Sequence, residues 1–136
     1  MTRKKRLYVG CGLTNAPEEF IRCVIQLRED LRRDFEILDF WTPIILGGEK
    51  NPAKIVQFDI EQLKASEVML GICDHPSFGL GFETAHALWG SKKTLLVAHR
   101  DALISAFPLG LANPFYRFEF YDVFSDIANL TRKHLR

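Results

Sequence analysis

What most constrains this chain is the recurrence of short apolar runs, separated by longer segments in which apolar residues return every three or four positions. Leu7 to Gly10, Phe35 to Trp41, Val68 to Cys73, Thr94 to Ala98 and Arg117 to Tyr121 have the length and composition of strands. Helices are predicted between them. Asn15 and Glu18 have capping-box spacing, Pro17 suits a first turn, and Phe20, Val24, Leu27 and Leu31 then mark one buried face through about Arg33. Further helices are predicted over about Ala53 to Lys64, Phe82 to Trp89 and Val123 to Leu135, with Thr42 to Pro52 as a mobile connection. Strands buried on both faces and alternating with helices specify an α/β fold, a single doubly wound domain over residues 1–136 with a five-stranded parallel sheet flanked by helices.

Size and charge then exclude several classes. A chain of 136 residues buries roughly two thirds of its unfolded surface, so it needs neither metal nor disulfide to fold. Cys11, Cys23 and Cys73 are odd in number and contain no Cys-x-x-Cys spacing, which favours a reducing cytoplasm. Eighteen basic against seventeen acidic side chains leave a net charge of +1, too little to hold a nucleic-acid polymer by counterion release. No run of apolar residues is long enough to cross a membrane. Arg3 to Arg6 lacks the apolar stretch of a signal peptide behind it and reads as a solvated leader.

In doubly wound folds ligands bind beyond the carboxyl ends of the strands, which directs attention to the loops after Gly10, Trp41, Cys73 and Ala98. After the third strand the chain reads Asp74-His75-Pro76-Ser77-Phe78-Gly79-Leu80-Gly81-Phe82-Glu83. Gly79 and Gly81 allow close backbone approach to a ligand and a sharp turn into a helix whose free N–H groups face an anion or sugar. Glu83 falls in that helix's first turn, where the helix dipole favours a carboxylate by roughly 0.3 to 1 kcal/mol. First-turn glutamates are common in purely structural settings, so spacing alone leaves both readings open. In the first loop, the N–H groups of Gly12 and Leu13 with the Thr14 hydroxyl have the makings of a small anion nest beside Gly10. That loop has a weak Rossmann-like pattern, but Asn15 stands where a third glycine is needed, so NAD is not expected and no cofactor is implied. Glu83-x-x-His86 shares a helical face, yet no second cluster completes a metal set, so no metal is expected. Cys11 and Cys73 lack a local base and read as buried small hydrophobes; His75 reads as a solvent-exposed loop residue, and His99 and His134 as surface residues.

The segment Pro76-Ser77-x-Gly79-x-Gly81-x-Glu83 resembles the signature of the nucleoside 2-deoxyribosyltransferase family, especially its branch of 2'-deoxynucleoside 5'-phosphate N-hydrolases. The resemblance extends from the first strand to the last helix, with the central loop as its specific motif. It implies that Glu83 is the nucleophile, that Asp59 helps hold the sugar and a protonation network, and that Ser105 reaches a neighbouring subunit's phosphate site. Ser77 stands where the transferase branch has an aspartate, which is more similar to the phosphate-binding branch. Against that, the Gly10 to Asn15 loop lacks the arginine that branch uses for phosphate, and Phe82 replaces a tyrosine beside the nucleophile.

Breaking an N-glycosidic bond develops positive charge at C1' and the ring oxygen, which a carboxylate beneath C1' stabilises and can capture. Glu83 is expected in that role, with Asp59, or a water it positions, protonating the departing base. Water resolves the intermediate in a hydrolase and a second base does so in a transferase. Hydrolysis of a deoxynucleoside or its 5'-monophosphate is the favoured expectation, base exchange the alternative, and a non-catalytic nucleotide-binding module the rival. The expected partners are a small nucleoside or nucleotide and further copies of the chain, as a homodimer or higher assembly. The aromatic cluster Phe115, Tyr116, Phe118, Phe120 and Tyr121 is explained first by strand packing and second by such an interface.

Overall fold

A parallel pair of strands cannot be closed by a hairpin, so each strand of a parallel sheet needs a crossover, which here is largely helical. The computed structural model describes residues 3–38, 48–75 and 77–136. Its strands are β1 (Lys5–Cys11), β2 (Phe35–Ile37), β3 (Val68–Ile72), β4 (Lys93–His99) and β5 (Tyr116–Tyr121). Its helices are α1 (Glu18–Leu31), α2 (Pro52–Ala65), α3 (Phe78–Trp89), α4 (Ala106–Gly110) and α5 (Asp126–Leu135). The strands form one sheet in the order β2-β1-β3-β4-β5, and every neighbouring pair is parallel. Helices α1 and α5 pack together, as do α2 and α3. The chain order reverses between β1 and β3, which makes their carboxyl ends the switch point where α/β sheets bind ligands.

Side chains alternate across β1, and that alternation divides its residues between core and site. Tyr8 and Gly10 share the face that meets α3, opposite Met69 and Gly71 of β3, while Leu7, Val9 and Cys11 point to the other face. Leu7, Tyr8, Val9, Leu70, Ile72, Leu95, Val97 and Ile127 are buried in one continuous core, each contributing on the order of 1.5–3 kcal/mol.

Several element boundaries depart from the sequence expectation for identifiable reasons. The Asn15–Glu18 capping box does not form: the chain turns earlier, with Ala16 N–H donating to Leu13 O at 3.2 Å, and Pro17 occupies the N-cap position. Helix α2 is capped by Asn51, whose side chain accepts from Ala53 N–H at 3.0 Å. The largest shift is in α3, which starts at Phe78 because Ser77 caps it, its Oγ accepting from Leu80 N–H at 3.3 Å. Gly79 and Gly81 are therefore helical rather than part of a loop, and Glu83 lies in the second turn rather than the first. Lys5 and Arg6 belong to β1, and Arg3 pairs with Glu67 at 2.6 Å, so the basic run is tied to the sheet rather than a solvated leader. His134 is no surface residue: its side chain is 12% exposed and lies 3.3 Å from Glu119. The one-turn helix α4 had no periodic signal. Residues 39–41 of the expected second strand and 42–47 of the following connection lie outside the described residues. Among the described residues no helix is long and apolar enough to cross a membrane.

Candidate active site

Three elements converge at the switch point: Tyr8 and Gly10 come from β1, Asp59 from α2 and Glu83 from α3. An ideal Cβ on Gly10 would lie 3.2 Å from Glu83 Oε2, 3.1 Å from Leu80 Cδ1 and 3.4 Å from Tyr8 Cε1. The missing side chain is what lets β1 and the carboxylate approach so closely. Glu83 Oε1 sits on the other side, 3.8 Å from where a Gly79 Cβ would be.

Burial, not the helix terminus, dominates the electrostatics of this carboxylate. Desolvation pushes Glu83 up to about 7, the Tyr8 hydroxyl opposes the shift by hydrogen bonding to the ionised form, and the Asp59 charge adds to it. The sequence expectation of a carboxylate kept ionised by a first-turn dipole is thus replaced by one held close to neutral pH. Burial likewise raises Asp59 to about 6. Glu83 Oε2 and Asp59 Oδ1 are both enclosed without a hydrogen bond of ordinary geometry among the described residues. Tyr8 is fully buried, and desolvation followed by the Glu83 charge drives its hydroxyl far upward, so it keeps its proton and remains a hydrogen-bond donor to the carboxylate at any working pH.

Tyr8 is a residue of the candidate site that sequence reasoning missed. Its signal lay in the strand period, since Tyr8 stands two residues before Gly10 and must share its face.

The two predicted loops do meet. A Cβ on Gly12 would fall 2.4 Å from His75 O and 3.1 Å from Ser77 Cβ, so the first loop lies directly against the segment entering α3. Leu13 packs against the core, and its carbonyl is engaged by Ala16 N–H; Thr14 is exposed. Ser77 Oγ already accepts from the helix and is 3.5 Å from the Gly79 Cβ position, which leaves its hydroxyl hydrogen for a ligand. His75 is half-buried, its ring edge on Phe20 at 4.6 Å, rather than solvent-exposed.

Ser105 lies elsewhere. It lines an apolar groove of about 960 Å³ between α3 and α4, whose walls include Ser77 and Gly81 but neither Glu83 nor Asp59. The thiols of Cys11 and Cys73 are pushed up to about 12, chiefly by burial, which leaves them protonated and unreactive. Among the described residues no cluster of three or more His, Cys, Asp or Glu could hold a metal ion.

A desolvated carboxylate pair beside a backbone gap can bear on a developing cation, and known structures with this architecture are informative. No protein-family model matches the sequence, and no curated protein sequence matches it either. Solved structures do. A CMP N-glycosidase from Clostridium botulinum, BcmB, superposes with a TM-score of 0.69 at 17% identity, over 96% of this chain and 100% of its own. A 2-deoxyribosyltransferase from Bacillus psychrosaccharolyticus gives 0.65 at 15% identity, covering 91% and 90%. A 2-deoxyribosyltransferase from Leishmania mexicana gives 0.64 at 14% identity, covering 96% and 98%. From its five-stranded parallel sheet to its last helix, this chain has the fold of nucleoside 2-deoxyribosyltransferases and of an N-glycosidase related to them in structure.

Proposed function

We propose that the protein is an enzyme that cleaves the N-glycosidic bond of a nucleoside, in the first instance a 2'-deoxynucleoside or its 5'-monophosphate, with Glu83 as nucleophile. The observation that carries this reading is the half-buried Glu83–Asp59 pair against Gly10, with one carboxylate oxygen of each enclosed. Among the described residues, no cationic side chain helps set the pKa of either carboxylate. Such a pair costs stability, which a purely structural or binding role gives no reason to bear.

The pair as a whole holds its protons near neutrality. The reactive form has Glu83 ionised and Asp59 protonated. Glu83 is pushed up to about 7 and Asp59 to about 6, so the proton the pair shares passes to Asp59 at a cost that is a small part of a catalytic barrier. As the base departs, Asp59, or a water it orients, donates the proton. Glu83 bonds to C1', and the sugar's positive charge is quenched. Attack of water at C1', its proton passing to the Asp59 carboxylate, then breaks the C1'–Glu83 bond, releases the sugar and restores both the ionised Glu83 and the protonated Asp59. Gly12, Leu13 and Thr14 together with Ser77, Gly79 and the start of α3 form the cradle for the sugar's 5' side.

Base exchange is the second reading, supported by the two structurally similar deoxyribosyltransferases. It differs only in whether water or a base takes the sugar. The groove that holds Ser105 is proposed to be covered by a second copy of the chain. That would bring Ser105 to the rim where Ser77 and Gly81 of the neighbour are exposed.

The test is a panel of ribo- and deoxynucleosides and their monophosphates, with and without an acceptor base. The structurally similar CMP N-glycosidase is the reason for including ribonucleotides. Free base without acceptor is expected; product only with acceptor would establish exchange. Glu83→Gln is expected to lower turnover at least about a hundredfold, several kcal/mol of barrier, with the fold intact. Retention of more than about one per cent would place the nucleophile elsewhere.

A further inference from the structure

The segment leaving β3 is anchored by Asp74 and His75, and both anchors lead to one tyrosine. Asp74 uses both carboxylate oxygens: Oδ1 accepts from the His99 backbone N–H at 3.0 Å, and Oδ2 accepts from the Tyr121 hydroxyl. His99 and Tyr121 are the last residues of β4 and β5, so one side chain ties together the carboxyl ends of three adjacent strands. His75 reaches the same tyrosine through rings. Its imidazole meets Phe20 with centroids 4.6 Å apart, Phe20 meets Phe124 at 6.0 Å, and Phe124 meets Tyr121 at 5.8 Å, all edge to face. The His75 carbonyl in turn abuts Gly12, where no Cβ would fit. Wherever Tyr121 holds this segment, the spacing between the first loop and Ser77 follows.

We propose that Tyr121, acting through Asp74, is a positioning residue for the segment that carries Ser77 and opens α3. It thereby sets where a sugar cradled by Gly10 and Gly12 lies relative to the Glu83 carboxylate. The inference rests on the N-glycosidic reading above for its catalytic consequence, and on the hydrogen bonds for the clamp itself. A charge-assisted bond to a carboxylate is among the stronger ones a side chain makes, and misplacing reacting groups by about 1 Å can cost a hundredfold in rate.

Tyr121→Phe keeps the aromatic contacts and removes only the hydroxyl, so it tests the polar link without emptying the core. Hydrogen exchange read by mass spectrometry is expected to show the amides of His75 and of Ser77 to Gly81 exchanging about tenfold faster, with β1 unchanged. In base release, kcat is expected to fall about tenfold while KM stays within about twofold, because placement rather than binding is lost. Asp74→Ala combined with Tyr121→Phe is expected to lose no more than Asp74→Ala alone, as for two groups acting through one contact. Unchanged exchange in the segment overturns the proposal. So does faster exchange spread over the whole sheet, additive losses in the double variant, or wild-type kcat in Tyr121→Phe. If the wild type releases no base from any substrate, the N-glycosidic reading fails, while the exchange result still decides whether Tyr121 holds the segment.

Discussion

A carboxylate that titrates near neutrality makes sign-definite demands on pH. Glu83 is held at about 7 in the folded chain against an ordinary 4.5, so the folded state binds its proton more tightly than the unfolded one. The stability this gives is complete below about pH 4.5 and is lost as pH rises through about 7. Glu83→Gln, neutral at every pH, is therefore expected to match the wild type near pH 4 and to exceed it by on the order of 2 kcal/mol at pH 8, read as denaturation midpoints. Activity runs the other way: the wild-type rate is expected to be bell-shaped, with limbs near the values of about 6 and about 7 held by Asp59 and Glu83. Tyr8 stabilises the ionised Glu83, so Tyr8→Phe is expected to move the alkaline limb, the one at the Glu83 value, upward, to lower the maximum, and to lower kcat/KM several-fold more at pH 6 than at pH 8. An unmoved limb would mean that the hydroxyl does not act on the carboxylate. Glu83 and Asp59 were legible as candidates by residue type and by resemblance. Their mutual effect was not, because a desolvated pair exists only once α2 and α3 face the same strand.

At the scale of elements, the start of α3 places a helix cap on the same oxygen that is proposed to meet the substrate. Ser77 was expected to contact a substrate phosphate, and it also caps the helix that presents Glu83. Ser77→Ala is thus expected to cost about 1 kcal/mol of stability as a lost cap, and to raise KM for monophosphates more than for nucleosides. Equal changes for both substrates would leave the cap as its only role. The strand signals of β1, β3, β4 and β5 were read within one or two residues, because an apolar run bounded by turn residues has few alternatives. The beginning of α3 was misread since glycines signal turns. Here a capping serine and close packing outweigh a penalty of about 1 kcal/mol for each helical glycine.

For the molecule as a whole, the unbalanced feature is the apolar groove between α3 and α4. Phe78, Trp89 and Leu103 on its walls are 93%, 91% and 92% exposed, three large apolar side chains open to solvent along one groove. With α4 only one turn long, that side of the sheet is incompletely covered. Sedimentation of the wild type is expected to give a dimer or larger species at micromolar concentration, and Trp89→Glu to shift it to monomer by burying a charge at the contact. A monomeric wild type would remove the proposed role of Ser105. Apolar periodicity and turn residues were enough for the amino-acid sequence to determine the α/β class and the order of its elements apart from α4. Such patterns are local, and each run encodes its own burial. Only tertiary structure decided that Tyr8 stands beside Glu83, that Gly10 clears space for the carboxylate, that Asp74 binds the ends of β4 and β5, and that Ser105 shares a groove with Ser77 and Gly81 but not with Glu83 or Asp59. Those relations arise between residues distant along the chain, where packing and desolvation act and no short-range pattern records them.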